Sequence, residues 1–195
     1  LIHLPNWHDN HLVRVILGKQ RKPLGFLLLF LLALGISIAV ALQYEPPGFT
    51  QVEFTNTDTG HVIFVDALRD GEPIVLTWHN SIFDLDVTEE FTVTSGILIQ
   101  HSVMFADPRD IPPMIARPED LEDLYHTGGP FIVRGIAKPF TRITYRIGEI
   151  GNPQFHIRSQ IIALKPIVGF GGRVTLSTRH TRVIDFLRLA PIGIQ

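Results

Sequence analysis

The stretch EFTVTSGILIQHSVMF, from Glu90 to Phe105, decides the fold class. In its first half Phe91 and Val93 alternate with Thr92 and Thr94, the period of two that puts apolar side chains on one face of an extended strand and hydroxyls on the other. Ser95-Gly96 breaks the run with residues that accept a tight turn, and Ile97 to Phe105 resumes it, so the stretch predicts a β-hairpin. Upstream, His61 to Leu68 and Ile74 to Trp78 flank Asp70-Gly71 and predict a second hairpin. Downstream, short β-branched and aromatic runs recur at Phe131 to Val133, Ile143 to Ile147, Phe155 to Ile157, Ile161 to Leu164, Val174 to Ser177 and Val183 to Leu187. No segment beyond Thr50 shows a helical period, so 50–195 reads as an all-β domain, a sandwich or a small barrel.

The amino-terminal quarter is of another kind. Leu24 to Leu42, LGFLLLFLLALGISIAVAL, holds thirteen Leu, Ile, Phe or Val and no ionisable or amide side chain. As a helix it spans roughly 30 Å at about 1.5 Å per residue, the thickness of a bilayer's hydrocarbon. Arg14, Lys19, Arg21 and Lys22 precede it, whereas Gln43, Tyr44, Glu45 and two prolines follow, which predicts a cytoplasmic amino terminus and an extracytoplasmic domain, periplasmic or extracellular. The expected organisation is a cytoplasmic or interfacial segment at 1–23, a single-pass transmembrane helix at 24–42, a short linker at 43–49 and the β-domain at 50–195. Ala39-Val40-Ala41 also has the small-x-small pattern of a signal-peptide cleavage site, the competing reading of the same segment. Before the anchor, His8 and His11 stand three apart, without a third ligand at metal-site spacing, beside Trp7 in a short interfacial run.

Among 195 residues, 45% are hydrophobic, 18% charged and the net charge is −2, which fits a folded chain and argues against a protein that coats nucleic acid. The absence of cysteine removes disulfides, thiolate metal sites and cysteine nucleophiles. Gly169-Phe170-Gly171-Gly172 is followed by a strand and not by a helix, so it reads as a turn and not as a phosphate cradle; no cofactor is expected. Ala106 to Pro130, rich in proline and acid, predicts one long irregular loop. From Arg134 to Arg188 ten Lys or Arg face only Glu149 and Asp185, a basic half in which Arg142, Arg146, Arg158 and Arg173 are candidate anion ligands.

The most suggestive polar cluster is Trp78-His79-Asn80-Ser81 with Asp84, Asp86, Glu89 and Glu90. His79 and Ser81, two apart in an extended chain, would project to one face, with Glu89 or Glu90 reaching them across a hairpin. A network of His79, Ser81, Glu89 and Glu90 suits structural or ligand-binding hydrogen bonds. A serine hydrolase would need an oxyanion hole and a strained nucleophile turn, and no G-x-S-x-G motif is present. The spacing of the four acids matches no calcium loop, so no metal is expected.

Trp78-His79-Asn80-Ser81, Thr88-Glu89-Glu90-Phe91-Thr92-Val93, Gly96-Ile97-Leu98, Phe105 and the glycine turn before Val174-Thr175-Leu176 together resemble a bacterial and archaeal domain of unknown function. Its genes commonly lie beside those of TAXI-type tripartite ATP-independent periplasmic (TRAP) transporters. The likeness runs from about Pro73 to Arg179; after Phe105 it would place a glycine-rich segment where this chain reads ADPRDIPP. It implies a membrane-anchored accessory subunit of solute uptake, in contact with transporter membrane subunits or a soluble substrate-binding protein. The alternative expectation is an anchored module for a small anion or lipid, and the third an extracytoplasmic serine hydrolase.

Overall fold

The structure is a computed structural model in which residues 22–188 are described; the interfacial run and the His8–His11 pair lie outside them. The chain divides into two compact units, Leu1–Tyr44 and Glu45–Gln195.

In the first unit, α1 (Lys22–Gln43) is a continuous helix. Its stretch Leu24–Gln43 is long and apolar enough to cross a membrane, and none of it is buried against the protein. The hydroxyl of Ser37 donates to the Ala33 carbonyl at 2.8 Å, so the helix satisfies its own polar side chain.

The second unit is mostly β. Its strands, in chain order, are β1 (Phe49–Asn56), β2 (Val62–Arg69), β3 (Pro73–Asn80), β4 (Leu85–Thr94), β5 (Ile97–Ala106), β6 (Met114–Ala116), β7 (Phe131–Phe140), β8 (Arg142–Arg146), β9 (Gln154–Ile157), β10 (Gln160–Ala163) and β11 (Arg173–His180). They form a four-stranded sheet in the order β2-β1-β11-β8 and a seven-stranded sheet in the order β10-β9-β3-β4-β5-β7-β6. Neither sheet closes into a barrel.

The Ser95-Gly96 hairpin forms as the sequence predicts, joining the antiparallel pair β4–β5. Asp70-Gly71 does not make a hairpin: β2 belongs to the four-stranded sheet and β3 to the seven-stranded one, so this turn carries the chain between sheets. Side chains hold the crossover in place. Asp70 accepts from the Thr50 hydroxyl at 3.0 Å and the Ser95 amide at 3.0 Å, Gly96 N–H donates to Thr50 Oγ1 at 2.9 Å, and Gly71 N–H donates to the Val93 carbonyl at 2.8 Å. A residue that would suit a local turn serves here as a long-range hydrogen-bond acceptor.

Residues of both sheets meet in one apolar cluster, in which Val52, Phe54, Leu68 and Leu176 pack with Leu76, Phe91 and Phe155. A second cluster gathers Val87, Val103, Phe105 and Val133 under Leu121. Fully burying one such side chain contributes about 1.5–3 kcal/mol.

Two further sequence expectations are corrected. The segment 106–130 is not one irregular loop: it contains β6, paired parallel with β7, a 3₁₀ turn at Pro118–Asp120 and α2 (Leu121–Thr127). Leu121, Leu124 and Tyr125 stand at i, i+3 and i+4 and pack their shared face on the second cluster, a helical signal masked by the flanking prolines and acids. A short helix α3 (Leu164–Val168) follows β10, and the expected strand at Val183 to Leu187 is helix α4 (Val183–Arg188). Asp185, in its first turn, accepts the Arg182 amide at 2.8 Å, and Phe186 meets Phe49 edge-on at 5.4 Å between centroids, so long-range contacts override the β-branched start of the segment.

Candidate functional site

The inward row of β4 is Leu85, Val87, Glu89, Phe91, Val93: a carboxylate stands where the pleat of a half-buried strand calls for an apolar side chain. Leu85 and Val87 belong to one apolar cluster and Phe91 and Val93 to the other, so Glu89 marks the junction of the two cores. Trp78, two residues along β3 from Leu76, which faces Glu89, packs against both clusters.

Two neutral donors hold the carboxylate. Trp78 Nε1–H reaches Oε1 at 3.1 Å and the Gln100 amide reaches Oε2 at 2.7 Å. Gln100 is available because the sheet is irregular at this level. β4 pairs with β5 as Glu90↔Ser102 and then Phe91↔Gln100, skipping His101, while β5 pairs with β7 as Ser102↔Arg134 and then Gln100↔Lys138. Such bulges bend a strand and re-aim its side chains, and here Gln100 is buried beside Glu89.

Beside this break lies a cavity of about 440 Å³, walled by Glu89, Gln100, Phe91, Tyr125, Lys138 and Tyr145 among others. Glu89 and Tyr145 also line a neighbouring cavity of about 350 Å³ with Trp78, His79, Ser81 and Arg146. Burial raises the Glu89 carboxyl above the ordinary glutamic acid range, against the opposing pull of the Trp78 and Gln100 hydrogen bonds and the more distant charge of Lys138. Burial pushes both phenols up as well, with the Glu89 charge adding to the effect at Tyr125 and Tyr145. The Tyr145 hydroxyl is enclosed and has no hydrogen-bond partner among the described residues.

The expected network of His79, Ser81, Glu89 and Glu90 does not assemble as one unit. His79 directs Nδ1 to Asp86 at 2.9 Å, its register partner across β3–β4, and Nε2 to Asp84 at 3.3 Å. Ser81 falls beyond the end of β3 and makes no side-chain hydrogen bond among the described residues, and the imidazole of His79 is turned to Asp84 and Asp86, so the pairing of base and hydroxyl that a serine nucleophile requires is not formed between them. Glu90 points to the opposite face of β4, where Ser102 Oγ donates to it at 2.7 Å. His79, Ser81 and Glu89 nevertheless line one cavity, the smaller of the two. The residues that sequence reasoning missed are Gln100, Tyr125, Lys138 and Tyr145. Trp78 was in view only as part of a motif.

The four candidate anion ligands do not converge. Arg158 donates to Glu72 at 2.8 Å, Asp66 at 2.9 Å and the Ala67 carbonyl at 3.1 Å, and Arg173 clasps Asp58 at 2.6 Å. Arg146 lines the smaller cavity, and Arg142 stands with Arg179 in a separate groove of about 600 Å³. Among the described residues no set of three His, Asp or Glu gathers as a metal site.

Comparison of the chain with family models, with curated proteins and with solved structures gives no match.

Proposed function

We propose that this protein is a single-pass membrane-anchored accessory component of a solute uptake system. Its amino terminus is cytoplasmic and its β-unit is a two-sheet sandwich on the extracytoplasmic side. It works by contact with a transporter membrane subunit or a soluble substrate-binding protein, in the TAXI-type TRAP context that the sequence resemblance implies. The observation that carries the reading is α1: a stretch of 20 apolar-rich helical residues, none of them buried by the protein itself. Large apolar side chains such as Phe26, 75% exposed, are strongly unfavourable in water and need lipid or another helix around them. Ser81 without a base and His79 committed to two aspartates favour binding over turnover.

The test is purification of the full chain from its native membrane in mild detergent at moderate salt. A co-purifying transporter membrane protein is the expected result; a monodisperse lone chain that crosslinks to nothing in intact cells overturns the reading.

One feature favours a second reading, an anchored module for a small anion or lipid headgroup. The Arg142 side chain has no hydrogen-bond or ion-pair partner among the described residues and shares its groove with Arg179. Dicarboxylates and anionic lipids should then raise the melting temperature of the wild type and not of Arg142→Ala; a flat response to all of them retires this reading.

A further inference from the structure

The chamber at the junction of the two cores has an unusual balance of charge. Glu89 lies inside it, and Glu119 and Glu122 line the same cavity, against the single cation Lys138. Glu89 accepts only from neutral donors: no Lys, Arg or His forms an ion pair with it among the described residues. Lys138 instead lies 5.5 Å from the centroid of the Phe140 ring. A half-buried carboxylate whose nearest cation makes no ion pair with it is costly, and its natural complement is a cation brought from outside. The rest of the wall suits an organic cation in particular. Phe91, Tyr125, Phe140 and Tyr145 supply aromatic surface, which attracts ammonium groups through the ring quadrupole. The enclosed Tyr145 hydroxyl, without a partner among the described residues, is a polar group that an entering N–H can satisfy. A volume of about 440 Å³ lies in the usual range for small-molecule sites.

We infer that the Glu89 chamber is a binding site for a small organic ammonium ion, with Glu89 as counter-ion, Tyr145 as hydrogen-bond partner and the aromatic wall enclosing the alkyl portion. This goes beyond the proposed accessory role, because it concerns the isolated chain and needs no transporter partner.

The experiment is calorimetric titration of the full chain, embedded in lipid nanodiscs, with butylammonium and choline chlorides; 1-butanol and butyrate serve as neutral and anionic controls. Saturable binding of at least one ammonium, tenfold or more tighter than either control, is expected. Glu89→Gln should weaken it at least tenfold, Tyr145→Phe should weaken binding of butylammonium, the probe with N–H groups, severalfold without lowering the melting temperature, and Lys138→Gln, at an exposed position, should tighten it severalfold. If Glu89→Gln fails to fold, the opposite responses of Tyr145→Phe and Lys138→Gln still decide. No saturable binding by the wild type up to millimolar probe, equal binding of butanol or butyrate, or affinity indifferent to all three substitutions overturns the inference. Each of these outcomes leaves the co-purification result independent.

Discussion

Trp78 Nε1 donates to Glu89 Oε1 at 3.1 Å across the β3–β4 pair, and this bond joins the two apolar clusters at the one inward position of β4 that is not apolar. Trp78 contributes its ring to both clusters and its N–H to the carboxylate, so packing and polar satisfaction meet in one side chain. Trp78→Phe should cost about 1–3 kcal/mol, because it leaves Glu89 short of a donor while largely keeping the ring volume. Chemical denaturation of the variant, read by circular dichroism, checks this; an unchanged midpoint would show that the bond contributes nothing.

The pH dependence at Glu89 has a definite sign. Burial raises its folded-state pKa above the unfolded value, so the stabilisation from holding a proton is complete below the unfolded value and is lost as pH rises through the folded one. Glu89→Gln carries the neutral group at every pH. Its melting temperature should therefore gain on the wild type as pH rises from 4 toward neutrality, roughly the window above the ordinary glutamic acid value. Parallel melting curves for the two proteins over that window would contradict the assignment.

Asp185 behaves in the opposite way. Arg179 grips both of its oxygens, at 2.7 and 2.9 Å, and the Arg182 amide adds a third bond; the Arg179 hydrogen bonds first, then that amide and the nearby charges, hold its carboxyl down at about 2 against the push of burial. Its contribution is present above the unfolded value near 3.8 and is lost as pH falls from there through about 2. Asp185→Asn should destabilise the unit by about 1–3 kcal/mol at neutral pH and flatten the acid limb of the stability curve. Urea titrations at pH 7 and pH 3 measure both effects.

Arg158 follows β9 of the larger sheet, yet its guanidinium is spent on Asp66 and the Ala67 carbonyl of β2 in the smaller sheet and on Glu72 in the crossover. It is a clamp between sheets. Arg158→Ala should cost about 1–2 kcal/mol at low salt, and less at 1 M salt, where the exposed part of the pairing is screened. Denaturation midpoints at the two salt concentrations test this, and a salt-independent difference would contradict it.

Gly96 is fixed by two demands at once: φ is +78°, and an added Cβ would lie 2.8 Å from the His180 amide nitrogen of β11. Gly96→Ala should cost more than about 1 kcal/mol, the ordinary penalty for losing this freedom, because backbone also blocks it. A melting temperature within a degree of the wild type would mean that β11 retreats easily.

The apolar helix and the β4–β5 hairpin were legible because each is a local pattern of strong period. Glu89 as a candidate was legible too, but not its place on the inward face: only carrying the alternation of Phe91 and Val93 back through Val87 and Leu85 puts it there, half-buried. Gln100 was not legible, since a bulge at His101 shifts the period on either side of it, and no local residue announces the bulge. Asp70-Gly71 misled for the converse reason: its composition suits a hairpin, and only contacts with Thr50, Ser95 and Val93, distant in sequence, make it a crossover. Tyr125 and Tyr145 reach the chamber from a helix and from the other sheet, a meeting that only tertiary structure creates.

The claim on which the account depends is that α1 stays in the lipid and leaves the β-unit on the outer side. Its most direct measurement is protease treatment of intact spheroplasts, followed by amino-terminal sequencing of the membrane-bound remnant. The account predicts that the β-unit is digested without lysis, while a fragment containing Leu24 to Leu42 remains in the membrane. A β-unit protected until the spheroplasts are broken, or a mature chain beginning near Leu42, would contradict it.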